Sequence, residues 1–321
     1  MVGKKILIDA FGSDNPDSFI QGIARVLRET EGVNLVVTGN KEYIENQLIG
    51  EDFDKNRLEI IHAEQIITND DYPVEAIRKK RNSSLCVGLE ALKKRDDIGC
   101  MISAGNTGAV IAGAVLLLGR ASSQDRPTLL TILPNDKGGF TCLADCGANV
   151  DCKPHHLLKF GEYATEYCQK VLAIENPKVG LLSVGTEDKK GNALTKEAFA
   201  LLKQSNLNFA GNMESNTALS GDVDIIVADG FWGNVLLKSI EGTAKSVATR
   251  MFNLLKKHAE KESDMLFVKR AIKELMSLLD FTSQGGAILL GAKKPIVKAH
   301  GSANEETVIN TVKQAIKICN M

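Results

Sequence analysis

The stretch Cys100-Met-Ile-Ser-Ala-Gly-Asn-Thr-Gly-Ala-Val-Ile-Ala-Gly-Ala-Val-Leu-Leu-Leu-Gly-Arg120 reads as a strand, a glycine turn and a helix. The apolar run from Ile98 to Ala104 is too short for a helix and stops at Gly-Asn-Thr-Gly. Ala109 to Leu118 is small or aliphatic throughout, the composition of a helix buried on most sides. The turn between them offers backbone N–H groups at a helix N-terminus, where unpaired donors and the helix dipole favour an anion. Asn106, Thr107 and Gly108 are therefore candidate ligand-binding residues. A tight turn with no ligand is the plain alternative.

Outward from this stretch, strand and helix signals alternate. Strand Lys5–Asp9 leads through Gly12-Ser-Asp-Asn-Pro16 into a helix, and a long helix is expected from Pro73 to about Lys94, with proline at its first turn. Thr128–Leu133 and Gly139–Asp145 read as a hairpin across Pro-Asn-Asp-Lys-Gly. Strand Pro295–Ala299 and helix Glu305–Cys319 close the chain. Strands alternating with helices imply a mostly parallel sheet covered on both faces. No repeat, low-complexity tract or linker interrupts residues 1–321, which read as a single α/β domain.

Composition narrows the function. A formal net charge of -1 over 321 residues gives no basic field for nucleic acid. The first strand begins at Lys5 with no signal peptide before it, and no apolar run reaches the roughly 18 to 20 residues of a membrane span. The seven cysteines form no CxxC pair. Cys142, Cys146 and Cys152 lack partners for a zinc site, so no metal is expected and the thiols read as free, in a reducing cytoplasm.

Strand after strand ends in small or polar residues: Asp9-Ala10, Ser103 with Gly105-Asn106, Asp145 with Gly147-Asn149, Gly185-Thr-Glu187, Asp229-Gly230, His300-Gly-Ser302. In a parallel sheet these carboxyl ends share one edge, where open α/β sheets bind ligands. No two glycines stand two residues apart, which removes the dinucleotide fingerprint; P-loop, GxSxG and HExxH motifs are also absent. The site must be assembled from separate loops. Of the basic residues on this edge, Lys153, Lys189, Lys190 and Lys196, Lys190 is better placed than most, because Glu187-Asp-Lys-Lys-Gly-Asn192 follows a buried strand directly; a merely solvated loop lysine is the plain alternative.

Assembled, these blocks resemble the PlsX family of phosphate acyltransferases over nearly the whole length. The resemblance is carried by Ser103-Ala-Gly-Asn-Thr-Gly-Ala109, Asp125-Arg-Pro127, Asp145-Cys-Gly-Ala-Asn-Val-Asp-Cys-Lys-Pro154 with His156, Gly180-Leu-Leu to Gly185, Lys189-Lys-Gly-Asn with Leu194-Thr-Lys196, Asp229-Gly-Phe-Trp-Gly-Asn234, Lys238 and His300-Gly-Ser302. The N-terminal motif departs from the family's Asp-Ala-Met-Gly-Gly-Asp-His. This chain has Asp9-Ala-Phe-Gly-Ser-Asp-Asn15, so a histidine role there does not carry over, while Asp9, Gly12 and Asp14 survive.

The resemblance implies a Rossmann-like three-layer α/β/α fold related to phosphotransacetylases and isocitrate dehydrogenases, a homodimer, and no cofactor. It implies transfer of a long-chain fatty acyl group from acyl carrier protein to inorganic phosphate, feeding a glycerol-3-phosphate acyltransferase of phospholipid synthesis. Phosphate is already a competent anionic nucleophile, so the enzyme must supply orientation and charge stabilisation. Lys190 and Asn234 are the expected catalytic residues. Asp9, Gly12, Asn106, Thr107, Gly108, Asn149, Lys153, His156 and Asp229 are the expected substrate-binding residues. Capping or core packing is the alternative for His156, and His300 stands the same way. Rival readings are a short-chain phosphotransacetylase acting on acyl-CoA, and a non-catalytic binding protein on the same fold.

Residues 243–280 read as two amphipathic helices with a turn near Ser263-Asp264. One carries Val247, Met251, Leu254 and Leu255; the other Val268, Ile272, Leu275, Met276 and Leu279. Eight Lys/Arg stand against four Asp/Glu from Lys245 to Glu274. A dimer-forming hairpin is the expectation; the sharper reading, compatible with it, also rests the tip Met265-Leu-Phe267 on a membrane surface. For the acidic carrier protein, Arg78, Lys79, Lys80 and Arg81 are candidates, as is a merely solvated helix face.

Overall fold

A computed structural model describes residues 3–122, 126–278, 285–301 and 303–319. Asp125, Leu279 and Ser302, named above, lie outside the described residues, as does residue 280 at the end of the helical arm. In chain order the elements begin with β1 (Lys5–Asp9), α1 (Pro16–Glu29), β2 (Leu35–Gly39), α2 (Lys41–Gln47), β3 (Leu58–His62), α3 (Pro73–Lys79) and α4 (Ser84–Lys94). They continue with β4 (Ile98–Ser103), α5 (Thr107–Gly113), β5 (Thr128–Pro134), β6 (Phe140–Ala144), α6 (Pro154–Val171), β7 (Lys178–Leu182) and α7 (Ala193–Gln204). The last are β8 (Asn208–Met213), β9 (Ile225–Val227), α8 (Gly230–His258), α9 (Glu262–Leu278), β10 (Ala287–Leu290), β11 (Ile296–Lys298) and α10 (Glu305–Cys319).

The chain divides into two compact units, Met1–Thr131 with Glu162–Asn176 and Gln284–Met321, and Ile132–Gly161 with Pro177–Ser283. In the first, the strands run in the order β3-β2-β1-β4-β11-β10-β5. Only β10 is antiparallel to its neighbours. β1, β2 and β4 are almost continuously buried, as a sheet covered on both faces requires. Gly88 of α4 faces Leu7 and Met101, whereas the Cys100 thiol faces the Ala315 carbonyl of α10. Consecutive strand residues point to opposite faces, so α4 and α10 cover opposite sides. In the second unit the parallel order is β6-β9-β7-β8. The expected α/β class with mostly parallel strands is what forms.

Several local readings are corrected. The helix expected from Pro73 to Lys94 is two helices. Gln65 intrudes on the chain at Asn82–Ser84, its N–H donating to the Asn82 carbonyl at 3.0 Å and its carbonyl accepting from Ser84 N–H at 3.1 Å. The Ser83 hydroxyl then caps α4 by accepting from Cys86 N–H, a stronger start signal than propensity alone. The turn of the helical arm lies at 259–261 rather than at Ser263-Asp264. The Asp264 carboxylate sits inside the first turn of α9 and accepts from the N–H groups of Glu260 and Lys261. Strand β10 has no counterpart in the sequence reading, and the buried helix after Thr107 passes into a π-helical turn over Ala114–Leu118.

Candidate active site

In the first unit, Asp9, Ser103 and Lys298 stand side by side. β1 and β4 pair Asp9 with Ser103, and β4 and β11 pair Ser103 with Lys298. The Ser103 hydroxyl donates to Asp9 Oδ2 at 2.8 Å and accepts from Gly105 N–H at 3.1 Å. The loop after β1 then meets the turn after β4 backbone to backbone. A Cβ on Gly12 would lie 2.5 Å from the Gly105 nitrogen and 3.1 Å from Asp9 Oδ2, so only glycine permits this approach. Gly12 therefore shapes the loop rather than offering a side-chain ligand.

Of the turn residues, Asn106 is occupied structurally. Its Oδ1 accepts from Ala109 N–H at 3.0 Å, and its Nδ2 donates to the Thr68 carbonyl at 3.3 Å, pinning the polar loop before α3. Gly108 packs on Pro73, which a Cβ would approach to 2.6 Å. Thr107 is exposed, and its hydroxyl has no partner among the described residues. Two of the three departures in the N-terminal motif, Phe11 and Asn15, also have structural uses. The Phe11 ring fills the space over Gly39 and meets Tyr43 edge-on with centroids 5.4 Å apart. Asn15 caps α1, accepting from Ser18 N–H at 3.2 Å.

In the second unit, Asp145 follows β6, fully buried, and organises its own loop. Oδ1 accepts from Gly147 and Ala148 N–H, and Oδ2 from Asn149 N–H at 2.7 Å and Asn149 Nδ2 at 2.9 Å. Gly230 and Gly233 let the first turn of α8 seat on this loop; a Cβ at Gly233 would lie 1.8 Å from the Asp145 carbonyl oxygen. Asp229 caps α8 by accepting from Trp232 N–H at 2.8 Å. Burial pushes its carboxyl above the usual range, against the N–H groups of Trp232 and Phe231, and the charge of Asp151 adds to the rise. Asn234, one turn into α8, lies beside Gly147 and has no side-chain partner among the described residues.

Lys190 lies on the exposed loop after β7. Its stem crosses Gly185, where a Cβ would come within 3.0 Å of Lys190 Cγ. Its ammonium makes no ion pair among the described residues, so it is available to an anion. Lys153 is exposed before α6. His156 is buried and accepts from the Lys153 N–H through Nδ1 at 3.0 Å, a capping contact. His300 is exposed beyond β11. Of the four basic residues near α3, Lys80 is paired with Asp71 at 2.6 Å and Lys79 with Glu75, leaving Arg78 and Arg81.

A cavity of about 520 Å³ opens beside the Lys190 loop. Gly191, Asn192 and Asp229 lie at its polar side, and Leu182, Trp232, Val235 and Leu236 line its apolar wall. Ser183 also lines it, with a buried hydroxyl that has no partner among the described residues. No group of three or more His, Cys, Asp or Glu suited to a metal occurs among the described residues.

A family model described as "Fatty acid synthesis protein" matches residues 4–321. The chain is 43% identical over 314 residues to a phosphate acyltransferase of Clostridioides difficile (strain 630), spanning 98% of this chain and 92% of that one. The chain belongs to the phosphate acyltransferase (PlsX) family. A phosphate acyltransferase of Alkaliphilus oremlandii (strain OhILAs) is also 43% identical, over 98% of this chain and 93% of the relative. Among solved structures, a phosphotransacetylase from Streptococcus pyogenes superposes with a TM-score of 0.66 at 17% identity, covering 99% of this chain and 93% of that one. A branched-chain phosphotransacylase from Enterococcus faecalis V583 gives 0.60 at 17%, covering 98% and 99%. These two likenesses speak to the fold. As a phosphate acyltransferase the chain is an enzyme, which sets the non-catalytic reading aside, and phosphate and an acyl group are its substrates.

Sequence reasoning missed Lys298. A single lysine closing the run Ile-Val-Lys carries no motif, and only strand register places it beside Asp9 and Ser103. Ser103 is visible within its block but carries no role of its own there.

Proposed function

We propose that the acyl donor is a long-chain fatty acyl thioester of acyl carrier protein, and that the acyl phosphate formed serves a glycerol-3-phosphate acyltransferase in phospholipid synthesis. A phosphate oxygen attacks the thioester carbonyl carbon, the carbonyl becomes a tetrahedral oxyanion, and the C–S bond breaks. The proton of hydrogen phosphate ends on the departing thiol, so the reaction balances without a cofactor. Lys190 and Asn234 stabilise the oxyanion, the unpaired ammonium and unpaired amide being free to do so. The loop after β1 and the turn at Asn106–Gly108 hold phosphate, with Thr107 supplying the open hydroxyl. Asp229, Asn149, Lys153 and His156 keep the surrounding loops in place.

The observation that carries the long-chain reading is the apolar cavity beside the Lys190 loop. Its volume of about 520 Å³ lies in the range of sites that bury a sizeable ligand, and an acetyl group would leave most of it empty. The test is thiol release from palmitoyl-acyl carrier protein with and without inorganic phosphate, hydroxylamine trapping the acyl phosphate. Phosphate-dependent release supports the proposal; turnover with acetyl-CoA alone replaces it with the phosphotransacetylase reading. Lys190→Ala is expected to lower turnover about 10² to 10³-fold with an unchanged melting temperature. Near-normal turnover in that variant would remove Lys190 from the mechanism.

The arm of α8 and α9 is proposed to pair two copies and to rest its tip on an anionic membrane surface. Val247, Met251, Leu254, Leu266 and Phe267 are exposed along it, and no helix among the described residues is long and apolar enough to cross a membrane. Burying such side chains is favourable at roughly 25 cal/mol per Å². Leu266→Glu with Phe267→Glu is expected to abolish co-sedimentation with anionic liposomes; unchanged binding would place the anchor elsewhere.

A further inference from the structure

The row Asp9–Ser103–Lys298 contains groups that the described residues leave unsatisfied. Asp9 is 1% exposed. Its Oδ2 is held by Ser103, but its Oδ1 is buried with no hydrogen-bond partner among the described residues. The Ser84 hydroxyl and the Phe11 N–H are near enough to favour the carboxylate charge, yet neither closes a hydrogen bond on Oδ1. A buried acceptor without a donor is costly, and within a folded protein it calls for a donor from outside the chain. Ser13, in the loop after β1, carries a second buried oxygen without a partner among the described residues. Lys298 is half-buried at the end of β11 and donates only to the adjacent Ala299 carbonyl. It forms no ion pair among the described residues, although the charges of Asp9 and Asp14 are near enough to act on it. The glycine-to-glycine contact of Gly12 and Gly105 keeps side chains away from this corner.

A ligand completing the row must both accept from an ammonium and donate to a carboxylate. Inorganic phosphate does both, because at neutral pH it carries negative oxygens and at least one P–OH. Sulfate, of the same shape, has no proton to give. We propose that Asp9, Ser103 and Lys298 form the seat of inorganic phosphate, Lys298 donating to a phosphate oxygen and Asp9 Oδ1 accepting the P–OH proton. The seat thereby selects phosphate against sulfate. Ser103 fixes the Asp9 carboxylate so that its other oxygen faces the ligand. This deepens the reading of the chain as a phosphate acyltransferase and rests on phosphate as acceptor, but not on the identity of the acyl donor.

The test has two arms. In the first, inorganic phosphate, arsenate and sulfate are titrated against the full-length protein with no acyl donor, by calorimetry and by the shift in melting temperature. Phosphate and arsenate should bind and sulfate should not. Lys298→Met should weaken phosphate about ten- to a hundredfold. Asp9→Asn should bring phosphate and sulfate to within a fewfold of each other, since an amide donates to either anion. In the second arm, steady-state kinetics should show the phosphate KM rising in Lys298→Met by a similar factor while the thioester KM stays within about twofold. Unchanged phosphate affinity in both folded variants would mean that the unpartnered oxygen is met by water, and would overturn the proposal. Equal wild-type binding of sulfate would overturn it too. Loss of phosphate binding in Lys298→Met would support the seat even if no carrier-protein thioester turned over.

Discussion

Asp9 ends β1 in one unit and Asp145 follows β6 in the other, each buried almost completely at the carboxyl end of a parallel strand. Their surroundings are opposite. Asp145 accepts from Gly147, Ala148 and Asn149 through both of its oxygens and so folds its own loop. Asp9 is held by the Ser103 hydroxyl through one oxygen, and the other has no donor among the described residues. The same residue type at the same kind of position thus serves architecture in one unit and keeps an unpartnered oxygen, the proposed phosphate contact, in the other. The difference lies in the donors supplied, not in burial.

The largest expected effect tests the architectural side. Asp145→Asn turns one acceptor oxygen into an NH2 group that faces backbone N–H donors. Two or more buried donors then lose their acceptor, at a cost of about 3 kcal/mol. The expected readout is a melting temperature lower by several degrees and a lower urea midpoint. A shift of less than a degree would mean that the Asp145 loop is held by something other than this carboxylate.

A smaller effect comes from Lys298 and is read through pH. Burial lowers its pKa from 10.5 to about 8, against the pull of Asp9 and Asp14. Below pH 8 folded and unfolded chains are both protonated, and the penalty for burying the ammonium is fully present. Between about 8 and 10.5 the unfolded chain holds the proton and the folded chain does not, so stability rises with pH. Partial solvent contact limits this to about 1 to 2 kcal/mol. Stability measured from pH 7.5 to 10.5 should show the rise in the wild type and lose it in Lys298→Met. The same slope in both proteins would show that Lys298 does not titrate as its burial requires.

What was legible in the sequence followed from locality. The Gly105–Gly108 turn and the helix opening at Pro16 are short-range patterns, and each forms where its residues indicate. The break at Lys80–Ser83 was not legible, because the competing partner, Gln65, is remote in sequence. The strand β10 is four residues of Ala-Ile-Leu-Leu, too short to be told from a loop without β5 and β11 on either side. The site divided in the same way. Asn106 and Gly108 stand out in the sequence, yet the contacts their side-chain positions make are mechanical. Lys298 was invisible, because register between strands nearly two hundred residues apart in the chain puts it in its row.

The smallest expected change in stability is also the sharpest test of the comparison. Asp9→Asn is the same isosteric substitution as at Asp145, at similar burial. Here only Oδ2 has a donor, so the oxygen of the new amide can keep the Ser103 hydroxyl while its NH2 group takes the unpartnered place. Burial pushes the Asp9 carboxyl above its usual range, opposed by the Ser84 and Ser103 hydroxyls, the Phe11 N–H and the charge of Lys298. The folded chain therefore holds its proton at pH values where the unfolded chain has lost it. Stability falls as pH rises through that window, and the substitution removes the fall. At neutral pH the relieved charge and the new unpaired N–H groups oppose each other, and the net change should stay within about 1 kcal/mol, or about 2 °C in Tm. A drop as large as that for Asp145→Asn would show that both aspartates are architectural. A near-constant Tm with phosphate discrimination lost would separate them, because an oxygen that contributes nothing to the fold and decides the anion is one the fold has kept open for it.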